Sequence, residues 1–191
     1  MRRLLAAAGL ALGLAGAAFA AAPEDTLVIE VAGKGNVEIA LRPDLAPGNV
    51  ARIKELAREG AYDGIAFHRV IDGFMAQTGD VEFGTREAFG QGRAGIGGSA
   101  LPDLPAEFTD KASFQRGVVG MARSQNPNSA NSQFFIMFAP ASHLDGQYTI
   151  VGEVTSGMEV VDAIEKGDVG AGGAVAKPDF MENVYIQADG P

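Results

Sequence analysis

Phe67-His68-Arg69-Val70-Ile71-Asp72-Gly73-Phe74-Met75-Ala76-Gln77 reads as two short strands about a turn. Asp-Gly is a hairpin signal, because glycine enters the positive-φ conformation of a tight turn at no steric cost. Side chains alternate across a strand. Phe67, Arg69 and Ile71 therefore share one face, with His68 and Val70 on the other. Beyond the turn, Met75 and Gln77 face together. In matching register Arg69, Met75 and Gln77 form one surface, which sets a guanidinium, a thioether and a primary amide side by side.

The pattern continues upstream. Residues 26–32 and 37–41 are rich in β-formers and flank Gly33-Lys34-Gly35, which predicts a hairpin. From 47 to 58 the period becomes helical. Val50, Ile53, Leu56 and Ala57 share one face, and Arg52, Lys54, Glu55 and Arg58 are expected to face water. Pro47 suits the first turn, Asn49 the N-cap and Gly60 the position past the end. Residues 21–25 read as a disordered start.

Downstream, residues 80–106 are rich in Gly and Pro, which predicts a long irregular excursion of functional or mobile character. Short β-type runs return over 117–154. Among them are Gly120-Met121-Ala122-Arg123-Ser124 and, after a polar loop, Asn131-Ser132-Gln133-Phe134-Phe135-Ile136-Met137-Phe138. Phe134, Ile136 and Phe138 fall on one face, and Gln133, Phe135 and Met137 on the other. One face enters the core, so the other presents an aromatic floor beside polar groups, the composition of a binding groove. Ser156-Gly157-Met158-Glu159 reads as a capping box, starting a helix that continues through Val160, Val161 and Ile164 to Gly167. Residues 167–176 are loop-like, and 181–187 form a last strand. Seven or eight strands and two helices, with turns between the strands, favour an antiparallel barrel or sandwich.

Composition removes several function classes. The 191 residues carry 15 Lys+Arg against 24 Asp+Glu. Nucleic-acid binding needs clustered cations and is disfavoured. The absence of cysteine excludes a disulfide scaffold, a thiolate nucleophile and a thiolate metal site. Two histidines, His68 and His143, lack the spacing of a metal pair. Gly95-Ile96-Gly97-Gly98-Ser99-Ala100 matches a loose dinucleotide fingerprint, but no strand precedes it, and Pro102 and Pro105 prevent the helix that must follow. No serine stands in a nucleophile elbow. No cofactor or metal is expected.

Residues 1–20 have the pattern of a secretory signal peptide. Arg2 and Arg3 precede an apolar run of Leu, Ala and Gly, and Ala18-Phe19-Ala20 is a cleavage pattern. The run is shorter than the roughly 20 residues of a spanning helix. Cleavage leaves residues 21–191 as one exported domain without a membrane anchor, periplasmic in a bacterium with two membranes. The two arginines leave with the peptide, so the net charge of −9 becomes −11.

Phe-His-Arg-Val-Ile-Asp-Gly-Phe-Met-Ala-Gln-Thr-Gly-Asp at 67–80, with Ser132-Gln133-Phe134-Phe135-Ile136, resembles the cyclophilin-type peptidyl-prolyl isomerases. Gly117-Val118-Val119-Gly120-Met121-Ala122, Glu107-Phe108 and Leu144-Asp145-Gly146 extend the likeness over nearly all of 26–187. Arg123 after Ala122 resembles the exported bacterial branch. The resemblance implies a mainly β fold, a closed eight-stranded antiparallel β-barrel capped by two α-helices. It implies a monomer acting on proline-containing unfolded or partly folded polypeptides. Arg69, Gln77 and Phe74 match catalytic positions. Met75, Ala122, Arg123, Gln133, Phe135, His143, Leu144 and Tyr148 match substrate-binding ones. His68, beside the arginine, is counted with them as packing rather than as a general base. His143 and Tyr148 depart from the eukaryotic pattern, which carries Trp and often His there. The Trp position supports cyclosporin binding in those proteins, so the resemblance does not extend that sensitivity to this chain. The rival readings are a non-catalytic proline-binding module, which would be free to lose Arg69, and a hydrolase of another β-barrel class.

Overall fold

A computed structural model describes residues 21–191; the predicted signal peptide, residues 1–20, lies outside the described residues. The strands are β1 (Thr26–Val31), β2 (Gly35–Leu41), β3 (Ile65–Ala66), β4 (Arg69–Ile71), β5 (Met75–Thr78), β6 (Val118–Met121), β7 (Phe134–Met137), β8 (Ile150–Ser156) and β9 (Phe180–Ile186). The helices are α1 (Pro47–Arg58) and α2 (Met158–Asp162). All strands join one sheet in the order β3-β9-β1-β2-β8-β6-β7-β5-β4, and every pairing is antiparallel.

The expected closed eight-stranded barrel is thus corrected to a curled sheet of nine strands with an open ladder. The extra strand arises where one is interrupted. β3 and β4 stand at opposite ends of the ladder, yet only Phe67 and His68 separate them in the chain. The backbone at those two residues bonds elsewhere: Phe67 N–H donates to Asp179 O at 2.9 Å, and His68 O accepts from Val175 N–H at 3.1 Å. The outer edge of β4 is covered by the 167–176 loop, through Val70 N–H to Gly173 O and Gly167 N–H to Val70 O, both 2.8 Å. Backbone groups at a sheet edge need partners, and this loop supplies them without a closing strand. The break also defeats simple alternation, because Phe67 and His68 are both buried.

The main core is filled by alternate strand residues, among them Leu27, Ile29, Val37, Ile39, Phe134 and Ile136, joined by Val70 and by Phe67 from the break. Helix α1 adds Val50, Ile53 and Leu56. It ends as expected, with Gly60 N–H on Ala57 O and Ala61 N–H on Leu56 O, the paired bonds of a Schellman stop. Its start differs from expectation. The N-cap is Ala46, without a side-chain cap, and Asn49 lies inside the first turn. Glu107 caps from a distance instead, accepting from Gly48 N–H at 3.0 Å, Asn49 N–H at 2.9 Å and Asn49 Nδ2 at 2.7 Å. A carboxylate suits the positive end of the helix.

Arg52, expected in water, is 7% exposed and donates from Nη2 to Pro102 O at 3.0 Å, because the 80–106 excursion folds over that side of α1. The capping box is also corrected. Ser156 is the last residue of β8, Gly157 is the N-cap at φ 83°, and α2 stops at Asp162. Residues 21–25 are held rather than loose: Pro23–Asp25 form a 3-10 turn, and Asp25 pairs with Lys54 at 2.5 Å. Among the described residues, no helix is long and apolar enough to cross a membrane, and no cluster of three His, Asp or Glu is placed to hold a metal.

Asp80 organises the excursion. Its carboxylate is fully buried; Oδ1 accepts from Glu82 N–H (3.1 Å) and Phe83 N–H (2.9 Å), and Oδ2 from Gly95 N–H (2.6 Å) and Gly97 N–H (3.0 Å). One buried carboxylate with four donors ties the start of the irregular stretch to its middle.

Candidate active site

The hairpin of β4 and β5 has the register that the alternation required. Arg69 stands opposite Gln77, and Ile71 opposite Met75. Gly73 takes φ 68° in the turn, as a side chain there would resist doing. On the far side of β5, Gln77 pairs with Phe135 and Met75 with Met137. Strand β6 then sets Gly120 opposite Phe135. Three neighbouring strands thus build a floor of Met75, Phe135 and the Arg69–Gln77 pair.

That floor belongs to a pocket of about 200 Å³ lined by Arg69, Phe74, Met75, Gln77, Ala122, Arg123, Phe135, Leu144 and Tyr148. A second pocket of about 410 Å³ adjoins it, sharing Gln77, Ala122 and Arg123 and adding Gln133 with residues 95–99 of the excursion. His68 and His143 line neither pocket. The exposed His143 ring stacks on Phe74 with centroids 6.1 Å apart. His68 is buried with its ring beside Gly95, and neither ring nitrogen has a partner among the described residues. Burial pushes its pKa below the ordinary histidine value, against the opposing charge of Asp80.

A directed hydrogen-bond chain orients the polar groups. Arg69 Nε donates to Gly172 O at 2.9 Å, and Nη1 donates to Gln77 Oε1 at 3.2 Å. Gln77 Nε2 donates to Gln133 Oε1 at 2.9 Å, and Gln133 Nε2 donates to Gly97 O at 2.8 Å. Since a guanidinium only donates, each amide must turn its oxygen toward Arg69. Two contacts fix the guanidinium plane, while Nη2 has no partner among the described residues.

The expected exposed aromatic floor is more sheltered than alternation suggested. Phe135 is 5% exposed, because Phe114 stacks beneath it at 5.7 Å and Tyr148 meets it edge-on at 5.7 Å. Phe134, Ile136 and Phe138 enter the main core, while Phe135 and Met137 join a second, smaller one with Met75, Phe114 and Leu144. Sequence reasoning passed over Phe114 and Gly172, and quoted Gly120 without giving it a role. A Cβ at Gly120 would lie 2.6 Å from Phe135 Cζ and 2.7 Å from Phe114 Cε1, so the aromatic stack needs a bare backbone there. A lone glycine inside a strand pattern was the available signal.

Known proteins resemble this chain in sequence and in fold. Residues 26–187 match the family model described as cyclophilin type peptidyl-prolyl cis-trans isomerase/CLD. A protein of Brucella suis called a probable peptidyl-prolyl cis-trans isomerase is 58% identical over 193 aligned residues, covering 99% of this chain and 97% of that protein. Peptidyl-prolyl cis-trans isomerase B of Bacillus subtilis is 38% identical over 70% of this chain and 85% of its own length. Among solved structures, cyclophilin AquaCyp293 from Hirschia baltica superposes with a TM-score of 0.72 at 26% identity, over 88% of this chain and 76% of that one. The family model spans most of the chain and the Brucella suis relative is similar over nearly its whole length, so the chain belongs to the cyclophilin-type peptidyl-prolyl cis-trans isomerases.

Proposed function

We propose that this isomerase turns X-Pro bonds in exported polypeptides and that Arg69 stabilises the twisted transition state. Rotation about a peptide bond faces a barrier of roughly 18–20 kcal/mol, because the nitrogen lone pair is delocalised into the carbonyl. X-Pro bonds exchange in tens to hundreds of seconds and limit folding. Near a 90° twist the lone pair localises on the proline nitrogen. A donor aimed there favours the transition state over both planar ground states.

The observation that carries this reading is the Arg69–Gln77 pair beside an apolar pocket, with Nη2 left unpartnered. Phe74, Met75, Phe135 and Leu144 hold the proline ring. Gln77 Nε2 keeps one hydrogen beyond its bond to Gln133 and, with the backbone beside Ala122 and Arg123, receives the substrate carbonyl. Arg69 is already anchored by Gly172 O, so little reorganisation accompanies the twist. No nucleophile or proton transfer is required.

Losing a charge-assisted hydrogen bond of about 1.5–3 kcal/mol slows the step by about 10- to 150-fold. Arg69→Ala should show a loss of that order or more in an isomer-specific proline-peptide assay, with unchanged circular dichroism. A folded variant at the wild-type rate refutes the role of Arg69.

Export rests on residues 1–20. The twenty-residue address predicts a mature periplasmic protein starting at Ala21. Mass measurement of the protein recovered from the periplasmic fraction tests it; an intact Met1 in the cytoplasm would overturn it.

A further inference from the structure

The Arg123 side chain has no part in the mechanism above, yet it is the most constrained cation of the groove after Arg69. Its Cζ lies 4.5 Å over the Tyr148 ring. Nε donates to Gln147 O at 3.0 Å, and Nη1 donates to Ser124 O at 2.8 Å. A guanidinium that is both stacked and hydrogen-bonded on two nitrogens is pre-ordered, so little entropy is lost when it takes another acceptor. Nη2 has no partner among the described residues.

Position and sign matter together. Arg123 stands on the wall common to the two pockets. The charged residues lining the proline pocket are Arg69 and Arg123, both cations, on a chain of net charge −9. The larger pocket has one carboxylate, Asp103, whose Oδ1 accepts from Asn131 Nδ2 at 3.1 Å. Asp103 lines the larger pocket alone, whereas Arg123 borders both.

We propose that Arg123 is a specificity residue, favouring substrates with an acidic side chain within the two residues before the proline. This rests on the reading that the proline ring lies among Phe74, Met75, Phe135 and Leu144 with the carbonyl side toward Gln77 and Ala122. The chain on that side must then pass the shared wall, where Arg123 offers Nη2. A lysine there meets a cation instead.

The test is isomerisation of Ala-Xaa-Pro-Phe and Xaa-Ala-Pro-Phe peptides in which Xaa is Glu, Gln or Lys. Partly exposed ion pairs support a preference for Glu over Gln of about three- to fivefold in kcat/KM at low ionic strength, in at least one placement, with Lys below Gln. The preference should shrink as salt shortens the screening length. Arg123→Gln should bring the Glu/Gln ratio to one whatever its absolute rate, and Arg123→Glu should invert the order of Glu and Lys. If Arg123→Glu fails to fold by thermal melting, Arg123→Gln and the salt dependence of the wild type decide. Equal rates on Glu and Gln peptides in the wild type, or a ratio that survives in Arg123→Gln, overturn the selectivity and leave the isomerase reading standing. No turnover of any peptide overturns the reading beneath it.

Discussion

Gly120→Ala adds one methyl group beneath the pocket floor. The new Cβ would sit 2.6 Å from Phe135 Cζ and 2.7 Å from Phe114 Cε1. Carbon atoms in contact rest about 3.5–4.0 Å apart, so the stacked pair must give by about 1 Å. Phe114 is fully buried and cannot retreat freely, and Tyr148 bears edge-on against Phe135. The open space beside Phe135 is the pocket itself. The ring therefore moves into the volume assigned to the substrate proline. Overpacking of this kind costs about 1–3 kcal/mol, which lowers Tm by about 3–10 °C in a chain of this size. A displacement of about 1 Å at a reacting geometry costs up to about 100-fold in rate. Thermal melting and kcat/KM on one proline peptide read both effects. Phe135→Leu added to Gly120→Ala should recover part of the lost stability, since adjacent residues couple. Wild-type Tm and rate in Gly120→Ala would refute the claim that bare backbone at this position holds the floor in place.

Two further outcomes follow from buried groups near the site. Asp80→Asn keeps one acceptor but turns an amide N–H₂ toward two backbone donors, which should cost about 2–3 kcal/mol and speed amide exchange at Gly95 and Gly97; unchanged exchange there would show that the carboxylate does not pin the excursion. His68 has its folded pKa lowered by burial, so the unfolded chain takes up the proton first and stability falls as pH drops below the ordinary histidine value of about 6.5. The slope is at most about 1.4 kcal/mol per pH unit for one proton. It should disappear in His68→Gln when Tm is followed from neutral to mildly acidic pH, and a His68 resonance titrating at or above the ordinary value would contradict the sign.

Local signals were legible where a single element suffices. The Asp72-Gly73 signal marked the hairpin, while the Arg69–Gln77 register comes from a three-residue loop, Asp72-Gly73-Phe74, with Gly73 at positive φ and Phe74 N–H bonded to Ile71 O. The 47–58 helix and its glycine stop followed from periodicity and backbone chemistry. Signals failed where a distant group supplied what the local sequence lacked. Asn49 has the chemistry of a cap, but Glu107, brought in by the excursion, takes the free N–H groups of α1. Ser156 and Glu159 have capping-box spacing, yet the pairing of β8 with β2 extends the strand to Ser156 and leaves Gly157 to start the helix. Arg52 reads as a solvent residue until the excursion covers it.

Spacing along the chain was enough to show which residue types share a face: one guanidinium, one amide and a set of apolar side chains, which a hairpin and a neighbouring strand bring together. The sequence also determined that a thiolate could take no part, since cysteine is absent. The tertiary structure alone decided how those groups are held. The Gly172 carbonyl that fixes Arg69 lies 103 residues away, and the Gly97 carbonyl that ends the amide chain lies 36 residues from Gln133. The interruption at Phe67 and His68 depends on partners at Asp179 and Val175. Periodicity reports which way a side chain points from its own strand. It carries no information on a backbone carbonyl delivered by a loop, because that contact depends on the path of the whole chain and not on residue type.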